Sequence, residues 1–148
     1  MPVGATTSVA EATPEEIYNP LLRDGGGGSI MITSSGAGVK GSPNTACYNA
    51  SKHAVIGLMR CAALECAQHG IRVNTVNPGA VETRMMESIE AGFTDAGAGD
   101  FKSMVEAVTP LGRYGQPDEI ANMMVFLGSD ESSYCTGSVY MVDGGNAT

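Results

Sequence analysis

A phenol and an amine stand four residues apart in this chain, as Tyr48 and Lys52 in the segment SSGAGVKGSPNTACYNASK (residues 34–52). On a helix, that spacing places both side chains on one face. A phenol ordinarily has a pKa of about 10. A nearby ammonium group and a helix N-terminus both stabilise the phenolate and bring such a group closer to neutral pH. The pair therefore predicts a general acid–base at Tyr48.

A serine precedes the pair at the end of a predicted strand. Ser35 lies 13 residues before Tyr48 and follows the apolar run Ile30-Met31-Ile32, which predicts a strand. Open parallel sheets bind ligands at the carboxyl ends of their strands, so the Ser35 hydroxyl would meet a carbonyl held by Tyr48. Ser34 is the second candidate for this position. The competing interpretation of the whole segment is an ordinary solvated helix start, because a Tyr-x-x-x-Lys pair arises by chance in many helices.

The element that carries the pair is a helix from about residue 44 to residue 68. Ala54, Leu58 and Cys61 keep a helical period, as do Ala62 and Leu64. Gly70 ends the helix as a left-handed cap would. A second strand follows over residues 71–76, and Pro78-Gly79 stops it.

Further elements extend the same alternation. Residues 84–109 have the composition of a mobile loop or of short helices. Gln116-Pro117-Asp118-Glu119 begins a helix with proline and acidic residues in its first turn. Its apolar face uses Ile120, Met123, Met124 and Leu127, and Gly128 closes it; residues 139–142 form a third strand. Alternating strands and helices predict an α/β fold, a partial Rossmann-like doubly wound parallel sheet of about three strands with flanking helices.

The N-terminal part of the chain is harder to interpret. Thr13-Pro14-Glu15-Glu16 is a capped helix start, but Pro20 leaves that helix little room. The four glycines at residues 25–28 lack the lysine and the following helix that a phosphate loop requires, so they predict a flexible connection.

Composition excludes several classes of function. The chain has 148 residues, enough for one domain, and a net charge of −8 without a basic cluster, which argues against nucleic acid as a partner. The sequence has no apolar run of the roughly 18 residues that span a bilayer, and its N-terminus does not resemble a signal peptide. These features predict a cytoplasmic protein that has no membrane partner.

The thiols and imidazoles do not suggest a metal centre. Cys47, Cys61, Cys66 and Cys135 form no Cys-x-x-Cys pair, and they are expected to be reduced thiols at small core positions. His53 and His69 are isolated along the chain. No metal site is therefore predicted, and an enzyme based on a metal or a thiol has little support.

Two long segments resemble the short-chain dehydrogenase/reductase family. GSIMITSSGAGVKGSPNTACYNASKHAVIGLMRCAALECAQHGIRVNTVNPGAVETRM is similar to that family from its fifth strand onward. PLGRYGQPDEIANMMVFLGSDESSYCTGSVYMVDGG resembles its C-terminal helix and last strand. The similarity extends over about residues 27–145, and several independent motifs occur in the family's order.

The resemblance implies an oxidoreductase that transfers hydride between a nicotinamide cofactor, NAD or NADP, and an alcohol or ketone. It implies that Tyr48 exchanges a proton with the substrate oxygen, that Lys52 holds the nicotinamide ribose, and that Ser35 hydrogen-bonds the substrate. The nicotinamide end of the cofactor would be lined by Pro78, Gly79, Val81 and Thr83. The resemblance divides the single domain into an irregular remnant (1–26), a catalytic strand-helix-strand unit (27–83), a substrate loop (84–109) and a C-terminal helix and strand (110–148).

Parts of the family pattern have no counterpart in the sequence. The glycine-rich strand–turn–helix that grips the cofactor pyrophosphate is absent, and with it the residue that selects NAD or NADP. Asn19 does not stand in the context of the family's catalytic asparagine. The alternative function is therefore a catalytically inactive truncated paralogue or fragment that assembles with itself or with a full-length relative. An unpaired strand edge at residues 30–33 and an apolar helix flank favour a homo-oligomer under either interpretation.

Overall fold

The computed structural model describes residues 20–97 and 99–147, so the helix start predicted at Thr13 and the position of Asn19 lie outside the described residues. The elements in chain order are α1 (Pro20–Asp24), β1 (Gly28–Thr33), α2 (Ala46–Cys66), β2 (Ile71–Pro78), α3 (Arg84–Asp95), α4 (Phe101–Val108), α5 (Pro117–Gly128) and β3 (Val139–Val142). Short 3-10 turns occupy Gly36–Gly38, Ala67–His69 and Asp130–Ser132.

The sheet of the described chain is parallel, with the order β1-β2-β3. Gly28 lies opposite Ile71 and Thr33 lies opposite Val76, so the carboxyl ends of β1 and β2 lie side by side. Within the described residues, β1 pairs only with β2. The predicted α/β fold, a partial Rossmann-like sheet of three parallel strands with flanking helices, is confirmed.

Helices cover both faces of this sheet because successive residues of a strand point to opposite sides. Ile30 and Ile32 of β1 pack against the core that α2 forms with β2, in which Met59 and Val73 are fully buried. The alternate residues meet α5 instead: the Ser29 hydroxyl donates to the backbone carbonyl of Leu127 over 2.7 Å.

The buried face of α2 differs from the residues that first indicated the helix. Ala54, Leu58, Cys61 and Leu64 are exposed, whereas the buried residues are Asn49, Ile56, Met59, Ala62, Ala63 and Cys66. The helix carries apolar side chains on two sides, so its period predicts a helix without saying which side meets the sheet. Contact with β2 decides this.

Burial also corrects the expectation for the cysteines. All four are free thiols; Cys66 is buried and Cys135 is half-buried, but Cys47 and Cys61 are exposed. The prediction of core positions is therefore wrong for Cys47 and Cys61, because both lie on the side of α2 that faces away from the sheet. Burial, with a smaller contribution from the neighbouring Glu65, raises the pKa of the Cys66 thiol.

Helices form in two stretches for which the sequence predicts an irregular segment or a loop. The short helix α1 occupies residues 20–24, inside the stretch expected to be irregular, and the amide of Gly27 closes it on the carbonyl of Leu22 over 2.9 Å. Residues 84–109 form the two helices α3 and α4. Gly70 has φ 69°, the left-handed conformation predicted for the residue that ends the long helix. No helix in the described part of the chain is both long enough and apolar enough to cross a bilayer.

Candidate active site

A cleft of about 530 Å³ opens where β1 and β2 end, between the first turns of α2 and α3 and the side of α5. The structure brings every predicted site residue to this cleft: Ser35, Tyr48, Lys52, Pro78, Gly79, Val81 and Thr83. These residues come from three separate segments of the chain. The parallel register makes them neighbours, because it places the end of β1 beside the end of β2.

Tyr48 and Lys52 lie on the same side of α2, as their spacing predicts. The Nζ atom of Lys52 is 5.6 Å from the centre of the Tyr48 ring. The same ammonium donates to the backbone carbonyl of Thr33, the last residue of β1, over 3.3 Å. The lysine is thus anchored to the end of the sheet, while Tyr48 is 44% exposed and open to a ligand.

The two serines make different contacts. Ser34 is only 3% exposed, and its hydroxyl donates to the backbone carbonyl of Lys52 over 2.9 Å, which ties the end of β1 to α2. The Ser35 hydroxyl accepts a 3.1 Å hydrogen bond from the amide of Ala37 and so caps the 3-10 turn. Among the described residues no acceptor receives the Ser35 hydroxyl proton, which leaves it available to a ligand in the cleft.

Asn77 is a site-forming residue that the sequence reasoning missed. Its side chain is fully buried, and Nδ2 donates to the backbone carbonyl of Ser35 over 2.8 Å. Its Oδ1 atom has no hydrogen-bond partner within the described structure. A buried amide costs free energy unless it is bonded, so an asparagine at the end of a strand, directly before Pro78-Gly79, was the available signal.

Close backbone approach explains two glycines near the site. A Cβ atom on Gly79 would lie 2.8 Å from the Cα atom of Asp143, so this turn admits no side chain without moving the loop after β3. A Cβ atom on Gly38 would lie 2.9 Å from both the carbonyl oxygen of Lys52 and Cδ1 of Ile56. Gly38 therefore lets the turn after Ser35 pack directly on α2.

The segment after β2 is held in place by contacts with α4 and with the chain just before α5. The amide of Glu82 donates to the carbonyl of Gly115 over 2.9 Å, and the Thr83 hydroxyl accepts from the amide of Met86 as the N-cap of α3. Lys102 of α4 forms a 2.9 Å ion pair with Glu82 and lies 5.1 Å from the ring of Tyr114. The hydrogen bond from Lys102 lowers the pKa of the Glu82 carboxyl. These contacts position Val81 and Thr83 along the cleft.

The donor set fits one end of a dinucleotide. An ammonium group and three hydroxyls, from Lys52, Ser35, Tyr48 and Thr83, surround a partly apolar cleft, which suits the polar ribose and carboxamide of a flat nicotinamide ring. Among the described residues, no comparable donor set is placed for the pyrophosphate. The glycine-rich turn at residues 25–28 leads into the amino end of β1, whereas the cleft lies at the carboxyl end of that strand. The six residues of β1 separate these two ends by roughly 20 Å.

Comparisons with known proteins agree with this architecture. The family model described as enoyl-(acyl carrier protein) reductase matches residues 6–147. Cyclohexanol dehydrogenase of Acinetobacter sp. (strain SE19) is 45% identical over 125 residues, which cover 84% of this chain and 45% of that protein. The structure of levodione reductase has a TM-score of 0.82 at 36% identity and covers 86% of this chain and 50% of its own. A variant of actinorhodin polyketide ketoreductase with NADPH has a TM-score of 0.83 at 33% identity, covering 95% and 55%. The chain thus spans about half the length of these relatives.

Proposed function

The chain belongs to the short-chain dehydrogenase/reductase family, and we propose that it carries the catalytic part of an oxidoreductase that transfers hydride between NAD or NADP and an alcohol or ketone. The observation that carries the proposal is the convergence of Ser35, Tyr48 and Lys52 on one cleft at the carboxyl ends of β1 and β2. In that position a hydroxyl, a phenol and an ammonium group all reach one small ligand.

The proposed chemistry divides the proton from the hydride. The cofactor, when bound, supplies or accepts hydride at the substrate carbon. Tyr48 exchanges a proton with the substrate oxygen, because its phenol is exposed in the cleft beside the ammonium of Lys52. Ser35 donates a hydrogen bond to the same oxygen with the proton that no described residue accepts, which orients the substrate toward Tyr48.

Lys52 and the turn after β2 would hold the nicotinamide end. Lys52 has further N–H donors besides the one directed at the Thr33 carbonyl, and these would bind the ribose hydroxyls. Pro78, Gly79 and Val81 would line the ring, and Thr83 would lie near the carboxamide. A solved structure that is 33% identical to this chain contains NADPH, which supports a nicotinamide dinucleotide, NAD or NADP, as the class of cofactor.

A second candidate function is assembly without catalysis. The outer edge of β1 has no partner strand among the described residues, and the outward face of α2 exposes Leu58 and Leu64, the latter at 83%. Free strand edges and exposed apolar faces favour association. We propose that these surfaces support a homo-oligomer or pairing with a full-length relative, whether or not the cleft is active.

Cofactor titration separates the two functions. NADH and NADPH fluorescence would be followed as protein is added, because the chain has no tryptophan to interfere. We expect saturable binding that Lys52→Ala weakens and that the exposed Arg60→Ala on the same helix leaves unchanged. Tyr48→Phe is expected to lower alcohol or ketone turnover by about 10²-fold or more, whereas the fully exposed Tyr134→Phe should have no effect.

The opposite results would support assembly alone. Absence of cofactor binding at millimolar NADH and NADPH would contradict the catalytic proposal for this chain. Sedimentation analysis would then test the second function: a monomer at all concentrations would contradict the homo-oligomer, and a monomer also in a mixture with a full-length relative would contradict the pairing. An oligomer that Leu64→Glu disrupts would support it and place the contact on the outward face of α2.

A further inference from the structure

One wall of the cleft is apolar and comes from the first turn of α3. Met85 and Met86 follow the N-cap Thr83 and line the cleft together with Val81. Ile120 and Met124 of α5 continue the apolar surface. The polar groups of Ser35, Tyr48 and Lys52 come instead from the end of β1 and the start of α2, and Thr83 adds a hydroxyl at the N-cap of α3. A ligand in this cleft therefore meets both polar groups and thioether and aliphatic carbons.

Among the described residues, the cleft lining offers one cation, Lys52, which the proposed function assigns to the ribose of the cofactor. Of the described residues that line the cleft, Lys52 alone carries a charge, and its ammonium is directed at the Thr33 carbonyl. Arg84 is exposed and outside the cleft lining, and Lys102 is paired with Glu82. A carboxylate or phosphate placed against the methionines would lose part of its hydration without gaining a partner, which is unfavourable. The net charge of −8 adds a general repulsion of anions.

We infer that the substrate of this cleft is an uncharged, apolar alcohol or ketone, without a carboxylate or phosphate, and that Met85 and Met86 determine this specificity. The inference rests on the proposed function for the reaction, but the choice of ligand follows from the wall itself. Methionine side chains are flexible and polarisable, so they adapt to apolar skeletons of different shape. The wall accordingly selects substrates by their lack of charge more than by their shape.

A pair of ketones with the same ring tests the inference: 4-methylcyclohexanone, which is neutral, and 4-oxocyclohexanecarboxylate, which is anionic. Dissociation constants would be measured by saturation-transfer NMR on the wild-type chain, with no need for turnover. We expect the neutral ketone to bind at least about tenfold more tightly than the anion, because the carboxylate would lose part of its hydration at the wall without gaining a cationic partner. Met85→Lys should tighten binding of the anion about fivefold, the effect of one partly exposed ion pair.

Met104→Lys is the matched control, because Met104 is an exposed methionine of α4 outside the cleft lining. Both substitutions are at exposed sites, so folding is expected to survive in each. Equal or tighter binding of the anion by the wild type would overturn the inference, as would failure of the neutral ketone to bind or equal effects of Met85→Lys and Met104→Lys. Selective binding of the neutral ketone with no cofactor-dependent turnover would contradict the proposed function alone. Turnover with preference for the anion would contradict the substrate class alone.

Discussion

The buried amide of Asn77 donates a 2.8 Å hydrogen bond to the backbone carbonyl of Ser35, which joins the end of β2 to the second residue after β1. Ser35 is also held through its hydroxyl, which caps the next turn. The position of this serine in the cleft thus depends on a fully buried residue 42 positions away.

Asn77→Ala is expected to lower the free energy of unfolding by about 1–3 kcal/mol, because it leaves the Ser35 carbonyl without its buried donor. Urea denaturation followed by circular dichroism measures this as a lower midpoint. The exposed Asn122→Ala on α5 serves as the control and should shift the midpoint little. Equal effects of the two substitutions would contradict the importance of the Asn77 contact.

The two neighbouring serines should respond differently to alanine. Ser34→Ala removes the buried bond to the Lys52 carbonyl and should cost about 1 kcal/mol of stability. Ser35→Ala removes only the half-buried cap of a three-residue turn, so it should cost less stability than Ser34→Ala but should reduce turnover with an alcohol or ketone. Thermal unfolding and steady-state kinetics on both variants distinguish the roles. A kinetic loss confined to Ser34→Ala would contradict the assignment of the substrate contact to Ser35.

Gly38→Ala is expected to destabilise the chain by about 1–3 kcal/mol, because the new methyl group would lie 2.9 Å from the Lys52 carbonyl oxygen and from Ile56. Gly41→Ala is the matched control, since a Cβ atom there meets nothing within 4 Å. Chemical denaturation of both variants gives the comparison. Similar midpoints for the two would show that the turn after Ser35 does not pack closely on α2.

Acid should weaken the start of α5 through Glu119. Its carboxylate accepts from Arg113 over 2.8 Å and from the amide of Gln116 over 2.7 Å, and these bonds, that of Arg113 first, lower its pKa from 4.5 to about 2. A carboxyl with a lowered pKa in the folded state stabilises the fold above its unfolded pKa, and this contribution is lost as the pH falls from about 5 toward 2. Melting temperatures of wild type and Glu119→Gln should therefore differ near pH 7 and converge toward pH 2.

Asp118→Asn, one residue earlier in the same helix turn, controls for a general change in charge. Its melting temperature is compared with that of the wild type over the same range of pH. A constant difference between wild type and Glu119→Gln at every pH would mean that Glu119 contributes nothing through its charge. The same result would mean that the ion pair between Glu119 and Arg113 does not stabilise the start of α5.

Local patterns in the sequence were sufficient for most of the fold. The strands near residues 30, 73 and 140 and the helices that begin near residues 46 and 117 were predictable, because apolar period, caps and breakers act over a few neighbouring residues. Gly70 ended the long helix, and Gln116 with Glu119 forms the capping box at the next. The shared face of Tyr48 and Lys52 follows from helix pitch alone.

Tertiary structure decided the remainder. Which face of α2 is buried, which serine keeps its proton for a ligand, and why Asn77 and Gly38 are needed all depend on contacts between segments distant in sequence. Ser34 meets a carbonyl 18 residues away, and Asn77 meets one 42 residues away. No local pattern encodes such distances, because the side chains that satisfy a buried polar group are chosen by how strands and helices pack together.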